Sequence, residues 1–234
     1  MTTIQSQQIL MTGFGPFPGV PVNASARVVE SLSQAAGTRW PEHRFEARVL
    51  PTEWISGPQT LHGLWNDLRP DIALHFGVAQ NARGLQLETT ARNHCRMDPD
   101  AAGALPEGLE RVAGGANVLF SSLPIEAIMH RLAVLRIPGC ISDDAGAYLC
   151  NSILYESISR ASAARPVALS GFVHMPQMLA GMTSPQGTVD CLPTMSIGEA
   201  VLGGLAILEC ALEHLTQLRF EVAAALPVAL PHKG

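Results

Sequence analysis

The chain has 234 residues, 47% of them hydrophobic and 15% charged, with Lys+Arg 15 against Asp+Glu 20 for a formal net charge of −5. Such a composition builds a sizeable core and excludes a disordered protein, and the length suits one large α/β domain or two small ones. The mild acidity, with no basic run, argues against nucleic acid or an anionic membrane as partner.

In chain order, MTTIQSQQILMTG has no basic leader and no long apolar run, so no signal peptide is read and a cytoplasmic protein is expected. Ile9–Thr12 is a short strand ending at Gly13. Asn23 caps a helix through about Ala36 with Val28, Val29 and Leu32 on one face. Arg48–Leu50 is a short strand, and Leu61, Leu64, Trp65 and Leu68 mark an amphipathic helix. Asp71–Phe76 is a buried-type strand, whereas Leu85 and Leu87 alternate with polar neighbours like a half-exposed one. Residues 94–115 read as a long loop or arm. A helix opens at Ser122 and Pro124, and a strand near Cys140–Ser142 meets the turn DDAG. A further helix runs to about Ala161. Val167–Val173 is a buried strand stopped at His174-Met175-Pro176, and residues 177–195 are a loop. Ser196-Ile197-Gly198-Glu199 is a capping box for a long final helix. Its apolar stretch Ala200–Leu208 is too short to cross a bilayer.

Strands and helices that alternate argue for an α/β fold: an open, mainly parallel sheet with helices on both faces. Ligands of such sheets sit beyond the carboxyl ends of the strands. Residues 12–17, 77–88, 143–150 and 174–176 are expected to meet there, bringing one cysteine, one histidine and one glutamate together.

Cys150 stands in the first turns of a helix, where free N–H groups and positive potential favour a thiolate. Asp143 and Asp144 work the other way, and the bland alternative is a buried, inert thiol. His174 is placed as a general base, against the alternative of a ring bonded to a loop carbonyl. Glu88 can orient the imidazole, or be a solvated strand-end charge. Together they make a nucleophile, a proton carrier and a tautomer-fixing acid, expected in series near hydrogen-bonding distance. His75, inside an apolar strand, reads as a satisfied core histidine. Cys95, Cys140, Cys150, Cys191 and Cys210 form no C-x-x-C pair, which argues against a disulfide scaffold and a cysteine zinc site. Gly13-Phe14-Gly15 is followed by Pro16-Phe17 and is no dinucleotide fingerprint.

The stretches MTGFGPFPGVPVNAS, HFGVAQNARGLQLETTARN, ISDDAGAYLCN and FVHMP resemble pyroglutamyl-peptidase I, also called pyrrolidone-carboxylate peptidase, in the family's order and over about residues 8–216. The resemblance implies a single peptidase domain over 1–234, with a tail over 217–234. It implies a three-layer α/β/α sandwich with a mixed, mostly parallel sheet, no metal or organic cofactor, and often a homotetramer. A tetramer or a dimer is the expected assembly. The family's nucleophile falls on Cys150, its base on His174 and its acid on Glu88. The aromatics that hold the lactam ring fall on Phe14 and Phe17, and Tyr148 and Leu149 match the pocket wall. The implied activity is hydrolysis of the bond after an N-terminal pyroglutamyl residue of a peptide. The rivals are another small amide or lactam as substrate, and a non-catalytic binding protein on the same fold. Thr89, Pro18-Gly19 and Asp100-Ala101 depart from the family's usual residues near the site. Phe14→Ala is expected to weaken substrate binding far more than stability. The last helix and VAAALPVAL beyond it are apolar enough that packing, and a homo-oligomer, are expected.

Overall fold

Alternate residues of the central strands point to two different cores, and this divides the molecule into three layers. The computed structural model describes residues 5–164, 167–177 and 195–225. Its main sheet contains β1 (Gln8–Phe14), β2 (Arg44–Leu50), β3 (Ile72–Ala79), β4 (Leu85–Glu88), β7 (Gly139–Ser142) and β8 (Leu169–Pro176). Their order is β2-β1-β3-β8-β4-β7. β2, β1, β3 and β8 are parallel; β4 is antiparallel to β8 and β7 is parallel to β4. A separate two-stranded ribbon pairs β5 (Thr90–Arg92) with β6 (Val118–Phe120).

One face, with Ile9, Met11, Leu74, Phe76, Leu87 and Val173, packs on α1 (Ala24–Arg39), α3 (Ile125–Val134) and α5 (Ile197–Ala225). The other, with Leu10, Phe14, Ala73 and Phe172, packs on α2 (Ser56–Leu68) and α4 (Leu149–Ala163). This is the mixed, mostly parallel α/β/α sandwich expected.

Local signals set the helix ends. Asn23 Oδ1 accepts the Ser25 N–H at 3.2 Å at the start of α1. At α5, Glu199 N–H donates to Ser196 Oγ and Ser196 N–H to Glu199 Oε2, closing the capping box. α5 is long and apolar enough to span a membrane by length and composition, with a mean hydropathy of 1.2. Here it is a core helix. Gly203 and Gly204 let it approach so closely that a Cβ would stand 2.4 Å from Leu85 and 2.7 Å from Leu32.

Four expectations need correction. β4 is buried rather than half-exposed, because β8 and β7 flank it inside the sheet. β2 starts earlier, at Arg44; as an exposed edge strand it carries little apolar signal. β8 does not stop before His174 but runs to Pro176, so His174 stands within a strand. β4 and β7 run against the other four strands. Glu88 therefore ends beside Phe172, and Ser142 beside Glu88, rather than at the sheet's carboxyl edge. Residues 94–115 form an arm without regular structure, as expected. Most of the 177–195 loop, Cys191 and the end of the tail lie outside the described residues.

Candidate active site

The register of β8 and β4 builds the first half of the site. Glu88 sits opposite Phe172, and Gln86 opposite His174. Residues two apart on neighbouring strands share a face, so Glu88 reaches diagonally to His174. His174 Nδ1 lies 2.7 Å from Glu88 Oε1, with Glu88 1% and His174 6% exposed. Nδ1–H donates to the carboxylate, which leaves Nε2 free to face another group.

That group is Cys150, at the second position of α4. It is half-buried, and its sulfur interacts with the His174 side chain. Burial alone would lower the imidazole pKa. Its charge and hydrogen-bonding interactions with Cys150, then those with Glu88, outweigh burial and raise it to about 10. Tyr148, the N-cap of α4, gives no side-chain cap. The first N–H groups of α4, that of Cys150 among them, thus point out with no acceptor from their own helix.

The sulfur fits because residue 77 is glycine. A Cβ there would stand 2.7 Å from Phe172 Cζ and 3.1 Å from Cys150 Sγ. Asn151 then fixes the first turn of α4 laterally. It is buried, accepts Arg92 N–H at 2.8 Å and donates to Arg92 O at 2.8 Å and His94 O at 3.0 Å. The sequence reading assigned no role to Gly77 or Asn151. The available signals were a glycine closing a buried strand and an asparagine, a weak helix former, inside a helix.

A cavity of about 670 Å³ opens in front of the sulfur, and Cys150, His174 and Glu88 all border it. Phe17 and Tyr148 stand 6.4 Å apart, ring to ring, on its rim. Phe14 contributes a wall but is only 2% exposed and packs on Phe172 at 6.2 Å. Leu149 is fully buried in the core between α2 and α4 and borders the cavity from behind.

The loop carrying Phe17 is tied down. Asn23 Nδ2 and Thr52 Oγ1 both donate to Gly15 O at 3.0 Å, and Phe17 and Val20 exchange backbone bonds. Tyr148 is held from the arm. Its hydroxyl donates to Pro99 O at 3.1 Å, and the Trp54 indole meets its ring edge-on at 5.0 Å. Asp100 fastens that arm by accepting N–H groups of Trp54, Ala102 and Ala104. Burial, then the charges of Asp100, Cys150 and Asp98, push the Tyr148 phenol up to about 12 despite Arg96, so it stays a neutral donor.

A family model for pyroglutamyl peptidase matches residues 7–214. The pyrrolidone-carboxylate peptidase of Pyrococcus furiosus is 31% identical over 210 residues, which is 89% of this chain and 99% of that protein. Pyrrolidone-carboxylate peptidase 1 of Ralstonia nicotianae is 32% identical over 213 residues, 90% of this chain and 95% of the relative. Among solved structures, a mutant pyrrolidone carboxyl peptidase from Pyrococcus furiosus superposes with a TM-score of 0.80 at 31% identity, over 89% of this chain and 99% of the other. Pyroglutamyl peptidase I of Bacillus amyloliquefaciens superposes with a TM-score of 0.77 at 27% identity, over 90% and 98%.

Proposed function

This chain belongs to the pyroglutamyl peptidase family, and we propose that it is a soluble cysteine peptidase that releases N-terminal pyroglutamate from peptides, with Cys150, His174 and Glu88 as its catalytic triad. One observation carries the assignment of roles. The His174 imidazole is bonded to the Glu88 carboxylate and interacts with Cys150 at the edge of an aromatic-walled cavity that all three residues border.

The Cys150 sulfur attacks the carbonyl that joins pyroglutamate to the next residue. The oxyanion that develops lies at the start of α4, whose unpaired N–H groups stabilise it. His174 protonates the leaving amine, the C–N bond breaks, and a pyroglutamyl thioester remains. His174, now neutral, takes a proton from water. The hydroxide displaces sulfur and pyroglutamate leaves. Glu88 holds the ring tautomer throughout and balances its charge.

The lactam is small, flat, neutral and has no free α-amine. Phe14 and Phe17 supply apolar faces for it, with Tyr148 and Leu149 behind. No acidic side chain is needed to clamp an ammonium group. The cavity holds more than one ring, which leaves room for the residue after the scissile bond. The cytoplasm as compartment, a single domain over 1–234 and a homo-oligomer belong to the same proposal. Turnover of a fluorogenic pyroglutamyl amide beside the matching prolyl amide tests it. Cleavage of the first and not the second is expected; equal cleavage, or binding without cleavage, contradicts the substrate assignment.

A further inference from the structure

One buried polar chain takes no part in that reaction. His75, in the middle of β3, is fully buried. Its Nδ1 lies 2.7 Å from Thr12 Oγ1 on β1, and its Nε2 lies 2.7 Å from Ser157 Oγ on α4. Ser170 Oγ, on β8, donates to Ser157 Oγ at 2.8 Å. One imidazole thus joins three adjacent strands to one helix. Burial lowers its pKa to about 3, so the ring is neutral and offers one donor and one acceptor, which hydroxyls can complement. An apolar side chain would fill the space as well. What hydrogen bonds add is a fixed distance and direction.

The position so fixed is that of the nucleophile. Ser157 follows Cys150 by seven residues, about two helical turns, so both face the sheet. Beneath them, two residues apart on one face of β3, His75 meets Ser157 and Gly77 meets Cys150. Phe172 shares that face, its ring 6.4 Å from His75 and 4.8 Å from His174. A slide of α4 along its axis would stretch the His75–Ser157 bond and carry the sulfur off the His174 ring in one motion. The geometry points to His75 as a positioning residue that, through Ser157, sets the separation between the Cys150 sulfur and the His174 imidazole. The inference rests on the reading of Cys150 as nucleophile.

Ser157→Ala and Thr12→Val each break one end of the chain with little change in volume, and either variant alone suffices. Alkylation of Cys150 by iodoacetamide, followed on its own peptide by mass spectrometry, reads the sulfur's surroundings without any substrate. The rate at about pH 6 is expected to fall about tenfold against wild type, and to match it at about pH 11, where the imidazolium is gone. For a pyroglutamyl amide, kcat should fall about tenfold with KM within about twofold. Wild-type alkylation profiles and kcat in the folded variants, with only the melting temperature lowered, would overturn the inference and leave His75 a core residue. A wild-type protein that cleaves no pyroglutamyl amide overturns the substrate assignment instead, and the alkylation comparison still decides this one.

Discussion

His174 keeps its proton through the range in which an isolated imidazole loses it. Its pKa is about 10 in the folded protein against the ordinary 6.5. A raised folded pKa adds stability in full below about pH 6.5, and that stability is lost as pH rises through about 10. Glu88→Gln removes the carboxylate charge but keeps an oxygen facing Nδ1. The ring-proton titration of His174, followed by NMR, should therefore shift to lower pH, and the alkaline loss of stability should start earlier. An unmoved titration would show that Glu88 does not hold the imidazolium. Phe17 and Phe14 differ in what a truncation reads. Phe14 is buried on Phe172, so Phe14→Ala is expected to cost about 3–5 kcal/mol of stability and cannot isolate binding, contrary to the sequence expectation. Phe17 is half-buried at the rim. Phe17→Ala should raise KM about tenfold and leave kcat and melting nearly unchanged. A lowered melting temperature with unchanged KM would make the ring structural.

At the scale of elements, the site depends on how closely α4 lies on β3 and β8. Gly77 sets that approach, since a Cβ would press on both Phe172 and the Cys150 sulfur. Gly77→Ala is expected to lower kcat by at least about tenfold in a folded protein, because small displacements of a nucleophile are costly. Circular dichroism checks the fold and single-turnover kinetics the chemistry; wild-type kcat would show that residue 77 does not set the position of the sulfur. What the sequence made legible here was local. The Asn23 cap, the Ser196–Glu199 box and the apolar runs of β3 and β8 each follow from neighbours within one turn or one strand. Cys150, His174 and Glu88 were readable as candidate chemistry for the same reason, and the family resemblance placed Phe14, Phe17, Tyr148 and Leu149. The direction of β4 and β7 was not legible, nor was the diagonal from Glu88 to His174, because both arise from pairing between distant segments. The parts of Gly77 and Asn151 likewise appear only when α4, β3 and β5 are assembled.

Across the whole molecule, α5 changes character at Arg219. Up to that residue it is anchored: Arg219 donates to Gln7, Asp71 and Val167 O, tying the helix to the starts of β1, β3 and β8. Beyond it the helix continues to Ala225 with Phe220 75% and Val222 50% exposed. An apolar surface of this kind is commonly covered by another subunit. Light scattering on the intact chain is expected to give a homo-oligomer, and truncation after Arg219 to weaken it. A monomeric intact chain rejects the oligomer, and unchanged assembly and melting after truncation reject any packing role for the tail. The three layers themselves bring a helix start, an inner strand and an antiparallel strand to one cavity, which we propose is a pyroglutamyl-cleaving thiol site. The most direct test is release of pyroglutamate from a pyroglutamyl peptide by the wild-type protein beside Cys150→Ser. Turnover by the wild type, with loss of at least about a thousandfold in the serine variant at unchanged melting, is the predicted result; no turnover by the wild type, or equal turnover by both, would contradict it.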